Sequence, residues 1–408
     1  MKIRCACALI LALQLHGGAD AADTPLNSTI PEGIVCKIRC SINIRELPVG
    51  DGGLKTRIKP GSYHYHVLLP KGYYASAQRR FPAMFVAAPG GNAGMKNIAG
   101  AMDKRRWIVI MLVESRNDAE DGVPSGNFVA AHDDATKRFR IQEGMKFATG
   151  LSGGARVQSL NVGLRPGFAG LILQGAGFIQ NPATGRYHMA AMEQKDICVY
   201  GIFGVGDPNR LEMGMLEREL PRHTLHRFAT FNGGHEWAPA DRMEDALDFC
   251  ELNGLRKLSV SGDGAAFLNA RMDEALDARN AKFAGRFERY VELKRLQSVI
   301  GEPAGGGVSV FKDRPARIEA MLRALSAATD VRGESDARTE YESIEADESL
   351  ALAQAAIGGG SSDLKTLAKR YESCAKKYPN AIFGQKAAAK SRLFRLRSWR
   401  TPLMPPRM

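Results

Sequence analysis

Gly150-Leu-Ser152-Gly-Gly154 constrains this chain more than any other stretch. It follows the short run Lys146-Phe147-Ala148-Thr149 and precedes a helix-like segment, Ala155 to Leu164. A serine on a tight strand-to-helix turn needs small flanking residues, because the backbone there is strained and a bulky neighbour would clash. The spacing therefore predicts a strand, a sharp turn that projects the Ser152 hydroxyl at a sheet edge, and a helix.

Two further residues follow in an order that suits such a serine. Asp207 stands in Gly204-Val-Gly-Asp207-Pro, four residues after the apolar strand Ile197–Phe203, and His235 stands in Asn232-Gly-Gly-His235-Glu-Trp237, after the strand-like run Thr224–Thr230. Three side chains from three strand ends can converge at the carboxyl edge of one parallel sheet, where open α/β folds place their sites. Serine, acid and histidine in that order are the constellation for acyl transfer, with Ser152 as nucleophile, His235 as general base and Asp207 as the group that orients the imidazole. Taken singly, each also suits a plainer role: a structural turn serine, a turn aspartate before Pro208, a loop histidine. Glu236 competes with Asp207 as the acid but is awkwardly adjacent to His235, and Asp241 and Asp245 lie farther along.

Around these residues the pattern is alternating α/β. Tyr63–Leu69 reads as an alternating strand, Met84–Ala88 and Trp107–Val113 as buried strands, Ala169–Gln174 as the strand after the serine's helix, and Pro239–Leu252 as a closing helix. The interval Gly175–Lys195 is short and rich in Gly, Pro and Asn, leaving no room for a large cap, so an open site is expected. Backbone N–H groups that could meet an oxyanion come from Gly153, the residue after the serine, and from Gly91 or Asn92 on the loop after Met84–Ala88. Trp237 either lines the substrate pocket or packs under the histidine loop.

Pro89-Gly90-Gly91-Asn92-Ala-Gly94, the Gly150–Gly154 turn, Gly206-Asp207 and Gly234-His235-Glu-Trp237 together resemble the α/β-hydrolase superfamily. The likeness is to its secreted group related to feruloyl and acetylxylan esterases and polyhydroxybutyrate depolymerases, and it covers roughly residues 60–255. Those proteins commonly begin the oxyanion loop with His-Gly, where this chain has Pro89-Gly90. The resemblance implies an α/β-hydrolase fold, a mostly parallel central sheet flanked by helices, and cleavage of small-molecule or polymer-linked carboxylic esters. Neither metal nor organic cofactor is expected. A serine peptidase of the same fold is the enzymatic alternative, since the same three residues cut amides. A non-catalytic hydrolase-like scaffold is the other.

The ends of the chain carry separate signals. Met1–Ala21 has Lys2 and Arg4 ahead of a short apolar run and small residues at Ala19-Asp-Ala21, the pattern of a signal peptide, so an exported, periplasmic or secreted protein is expected, with no transmembrane segment. Residues 22–256 then form the hydrolase-like domain and 257–408 a helical C-terminal region. Helical stretches are expected at Ala265–Ile300, Arg314–Thr329, Ser335–Ala356 and Asp363–Arg397, punctuated by Gly305–Gly307 and Gly358–Ser362. Leu367 to Ala387 resembles one helix pair of a tetratricopeptide-like repeat.

Of the chain's net charge of +12, most comes from residues 363–408, with 12 Lys/Arg against 2 Asp/Glu. Such a face is solvated, or meets an anionic surface or a protein partner; no nucleic-acid motif accompanies it. Outside the signal segment the cysteines are Cys36, Cys40, Cys198, Cys250 and Cys374. Cys36 and Cys40 would be about 13 Å apart on one strand, too far to bridge each other. His64 and His66 share a strand face without a third ligand, so no metal is expected there.

Overall fold

The computed structural model describes residues 29–41, 61–91, 98–180, 184–194, 196–259, 264–277, 285–300, 311–355 and 362–398. The expected signal segment, Asn92, Gly94 and the glycines of the two linkers lie outside them.

In chain order the elements are β1 (Val35–Arg39), β2 (His64–Leu68), β3 (Phe81–Ala87), α1 (Ala99–Arg105), β4 (Ile108–Leu112), α2 (Val123–Arg138), β5 (Ile141–Leu151), α3 (Gly153–Leu164), β6 (Phe168–Gln174), α4 (Ala190–Gln194), β7 (Cys198–Gly204), α5 (Glu212–Glu219), β8 (His226–Phe231) and α6 (Ala240–Ser259). Beyond them come α7 (Gly264–Leu276), α8 (Arg286–Ile300), α9 (Arg314–Ala327), α10 (Thr329–Ala355), α11 (Ser362–Lys377) and α12 (Ile382–Ser398).

The strands form one eight-stranded sheet in the order β1-β2-β4-β3-β5-β6-β7-β8. β1 and β2 pair antiparallel, β2 meets β4 antiparallel, and every pairing from β4 through β8 is parallel. Helices cover both faces. This is the α/β-hydrolase fold that the sequence led one to expect, with the serine at the end of β5, the aspartate after β7 and the histidine after β8.

Alternation along each strand divides the core in two. Phe85 of β3 and Ala148 of β5 face one side, packed with Phe128 and Val129 of α2, Ala155 and Val162 of α3 and Leu216 of α5. Met84, Val86 and Phe147 face the other, where Trp107 stacks on Phe147 with ring centroids 4.5 Å apart. α6 closes that second face and runs to Ser259, past the expected end at Leu252, because Leu255 and Leu258 prolong its buried stripe of Met243, Ala246, Leu247 and Cys250.

The same cluster continues into the C-terminal region through Leu268 and Met272 of α7, Leu293, Leu296 and Val299 of α8 and Ile318 and Leu322 of α9. The stretch expected as one helix over 265–300 is two described helices, α7 and α8, each presenting its own apolar side. α10, α11 and α12 share a smaller cluster around Tyr341, Tyr371, Cys374 and Phe394, and α11 and α12 form a helical hairpin through Tyr378–Ala381.

Charge ties the layers together. Glu251 on α6, 1% exposed, accepts from Arg105 of α1 at 2.8 Å, Arg271 of α7 at 2.6 Å and Arg295 of α8 at 2.9 Å. Burial raises the pKa of the Glu251 carboxyl, but the three guanidiniums overcome that and hold it below the usual carboxylate range. The basic α11 and α12 meet acidic partners within the chain: Lys377 pairs with Glu340 of α10 at 2.8 Å and Lys390 with Glu348 of α10 at 3.0 Å. Lys386 reaches Glu244 of α6 at 3.9 Å.

Among the described residues no helix is long and apolar enough to cross a membrane, and no group of His, Cys, Asp and Glu could hold a metal ion. His64 instead contacts Glu114 through Nδ1 at 2.8 Å. The five cysteines outside the signal segment are free thiols.

Candidate active site

Ser152 caps the N-terminus of α3 with φ 55° and ψ −123°, a left-handed value that a side chain rarely adopts. The turn holds because its amide donates to Gln174 O at 2.9 Å while its carbonyl accepts from Ala155 N at 3.0 Å and Arg156 N at 3.2 Å. The motif glycines are sterically compulsory. A Cβ at Gly150 would lie 2.4 Å from the carbonyl carbon of Gly154, and one at Gly154 would lie 2.3 Å from Ala87 O of β3. α3 thus presses against the ends of β3 and β5, and its amides point toward the serine with the positive end of the helix dipole.

Asp207 begins the 3-10 turn Pro208–Leu211, and its side chain is fully buried. Its Oδ1 and Oδ2 lie 3.1 and 3.0 Å from His235 Nδ1, and Oδ1 also accepts from Asn209 N at 2.8 Å. The two loops that carry this pair are pressed together: Gly206 N donates to Gly233 O at 2.9 Å, and a Cβ at Gly204 would stand 2.2 Å from Gly234 O. His235 itself is 36% exposed, so the imidazole is held on its Nδ1 side and open on the other. Its Nε2 makes no hydrogen bond among the described residues, Ser152 Oγ included; such contacts commonly tighten only when substrate is bound.

Gly175, at the end of β6 with φ +62°, brings the third strand end to the same point. A Cβ there would lie 2.9 Å from Asp207 Oδ2, 3.3 Å from His235 Cε1 and 3.1 Å from Leu151 Cδ1, beside the serine. Asn209 Nδ2 donates to Gly175 O at 2.8 Å. Buried Gln174 joins the layers below, donating to Thr149 Oγ1 at 3.0 Å and accepting from Ala238 N, beyond the histidine loop, at 3.0 Å. Sequence reasoning missed Gly175, Asn209 and Gln174; the only local signal was a glycine directly after an apolar strand.

Other expected residues divide. Gly153 sits in the first turn of α3, and its amide has no hydrogen-bond partner among the described residues. Gly91 N–H, by contrast, donates to Ala88 O at 3.0 Å and is not free to meet an oxyanion in this conformation. Asn92 lies outside the described residues. Trp237 is half-buried and packs against the core cluster of Phe231, Ala238 and Met243. Glu236 turns back to accept from Gly234 N at 3.2 Å, so Asp207 and not Glu236 partners the histidine. Asp245 pairs with Arg242 at 3.3 Å and Asp241 approaches Lys390 at 3.9 Å.

No family model and no curated protein matches the chain. Among solved structures it is similar to an IroE-like serine hydrolase from Shewanella oneidensis, at 12% identity and a TM-score of 0.40, over 71% of this chain and 99% of the other. It is also similar to Est1E from Butyrivibrio proteoclasticus, at 12% identity and 0.37, over 48% and 95%. The feruloyl esterase module of Clostridium thermocellum matches at 13% identity and 0.37, over 57% and 92%. The fold stands on the strand order and connections of this chain itself.

Proposed function

We propose that the chain is a serine hydrolase that cleaves carboxylic esters through an acyl-enzyme, with Ser152 as nucleophile, His235 as general base and then acid, and Asp207 as its partner. The observation that carries this reading is the junction at Gly175, where the strained serine turn, the buried Asp207 carboxylate and the His235 imidazole it holds meet from three strand ends.

The chemistry follows from the geometry. Asp207 accepts a hydrogen bond from Nδ1–H, which keeps the proton on Nδ1 and leaves Nε2 as the basic nitrogen. Nε2 takes the Ser152 proton as Oγ bonds to the ester carbonyl carbon, and the carbonyl oxygen becomes an oxyanion within reach of the Gly153 amide. As the tetrahedral centre collapses, the bond to the alcohol breaks and Nε2 returns the proton to the departing alkoxide. Water then repeats the cycle on the acyl-serine and releases the carboxylic acid. The exposed imidazole and the short β6–β7 connection suit small or polymer-linked esters. The signal-like Met1–Ala21 supports export to the periplasm or medium, and N-terminal sequencing of the exported protein would find residue 22 first if that reading holds.

The test is a fluorophosphonate probe and p-nitrophenyl acetate applied to the full chain and to Ser152→Ala, with the labelled peptide mapped by mass spectrometry. Labelling at Ser152 and turnover lost in the variant are expected. A folded wild-type protein that neither labels nor turns over would sink the proposal.

A further inference from the structure

Among the described residues the backbone offers an oxyanion one free donor, which makes a thin hole. Gly153 supplies an amide from the first turn of α3, while Gly91 spends its N–H on Ala88 O at 3.0 Å. Acyl-transfer sites set two or more donors around the developing charge, and side-chain amides serve as well as backbone ones.

The loop after β4 brings such a group to the serine. Gly90 bridges to Arg116, and Asn117 N donates to Pro89 O at 2.9 Å, so this loop is laced to the one after β3. From that anchor the Asn117 side chain reaches across to α3. The point where a Gly153 Cβ would sit is 1.9 Å from Asn117 Oδ1, 2.8 Å from its Cγ and 3.1 Å from its Nδ2. Oxygen and nitrogen of a carboxamide exchange by a half-turn, so either orientation keeps Nδ2 within 3.1 Å of that point. Asn117 is exposed, and its carboxamide has no hydrogen-bond partner among the described residues. A polar group with unspent donors therefore stands against the residue whose amide follows the nucleophile.

We propose that Asn117 is a catalytic residue, its Nδ2–H donating to the same oxyanion as the Gly153 amide. This rests on the serine-hydrolase reading. It also explains a glycine that backbone packing leaves unexplained: unlike Gly150 and Gly154, Gly153 is crowded by a side chain rather than by backbone. A β-carbon at 153 would displace the asparagine.

Asn117→Leu keeps the side-chain shape and removes the donor, and Asn117→Ala removes both; melting temperatures establish that each folds. For p-nitrophenyl acetate the expected result is a loss of kcat of about 100-fold in each variant with KM within about threefold, because the hydrogen bond forms only in the transition state. Inhibition by phenylboronic acid, whose adduct with Ser152 places an oxygen where the oxyanion develops, should weaken by a similar factor. Ser152-dependent turnover and boronate affinity that remain within about threefold of wild type in Asn117→Leu would overturn this assignment and leave the serine-hydrolase reading standing. A wild-type protein with no Ser152-dependent turnover would overturn both.

Discussion

Replacing Asp207 by asparagine isolates what the carboxylate does to the imidazole. Oδ1 and Oδ2 lie 3.1 and 3.0 Å from His235 Nδ1, but Oδ1 also accepts the Asn209 amide at 2.8 Å. Asn209 N–H is a fixed donor, so an asparagine at 207 must turn its carbonyl oxygen toward it and its NH₂ group toward Nδ1. A donor facing Nδ1 favours the tautomer with the proton on Nε2. That is the nitrogen required to take the proton of Ser152, and in this tautomer it has no lone pair to offer. The expected loss in kcat is about 10,000-fold, or about 5 kcal/mol in barrier height. The substitution preserves volume and the bond to Asn209, so the melting temperature should stay near that of wild type. Stopped-flow or steady-state hydrolysis of p-nitrophenyl acetate near pH ~7 measures the ratio, with Ser152→Ala as the floor. A folded Asp207→Asn protein retaining kcat within about tenfold of wild type would refute the assignment of Asp207 as the group that sets the tautomer.

Two stability predictions test the buried charge pairs of the fold. Glu251→Gln removes the buried carboxylate charge while the guanidiniums of Arg105, Arg271 and Arg295 stay in place, so urea unfolding should show a loss of about 3–5 kcal/mol. Arg323→Ala, which breaks the exposed i,i+4 pair with Glu319 at 2.8 Å, should cost under about 0.5 kcal/mol, and equal losses in the two variants would contradict the buried-network account. Asp133 supplies the pH dependence: burial raises its pKa, but hydrogen bonds from Arg165 and His132 win and bring it down to about 2. A carboxylate with a depressed folded-state pKa stabilises the fold above its unfolded value near ~3.9 and loses that contribution as pH falls toward the folded value. With the side chain 30% exposed, the contribution is about 1–2 kcal/mol. The stability gap between wild type and Asp133→Asn should therefore be full above pH ~5 and narrow steadily below pH ~4, and a gap that does not change with pH would refute it.

How much of this was legible in the sequence depends on how far apart the interacting residues lie along the chain. The serine turn announced itself because its constraints are local: Gly150, Ser152 and Gly154 clash or fit with one another and with the adjoining ends of β3 and β5. Asp207 and His235 are candidates on the sequence alone because each follows an apolar strand by a few residues, and the structure brings them within 3.0 Å of each other. The closing helix was read short, since Asn253 and Gly254 interrupt the apolar pattern after Leu252; Gly254 is where α6 packs closely on Met145 and Phe147. The single helix expected over 265–300 is broken because each half has its own apolar stripe against the sheet-side core. The basic tail showed in composition, but its acidic partners Glu340 and Glu348 lie on α10, and pairing across helices leaves no trace in a local count of charges.

What escaped the sequence entirely is the set of contacts that turns three strand ends into one site. Gly175, Asn209 and Asn117 are unremarkable residues in loops, and nothing near them in sequence tells what they touch. The close approaches join segments far apart in the chain: the backbone of Gly154 against Ala87, that of Gly204 against Gly233 and Gly234, and Gly175 against the side chains of Asp207 and His235. At each of these contacts a single β-carbon would stand within about 3 Å of its neighbour, a separation that dense packing does not accommodate without moving backbone. Ser152, Asp207 and His235 are therefore positioned by glycine segments with little room to adjust, and their placement follows from the ends of the sheet. The rim is built differently. Asn117 and Trp237 are exposed or half-buried side chains on loops, where a substitution leaves the sheet unmoved. A site divided in this way would keep Ser152, Asp207 and His235 in the register that the proposed mechanism requires, while leaving the other loop side chains around them free to differ.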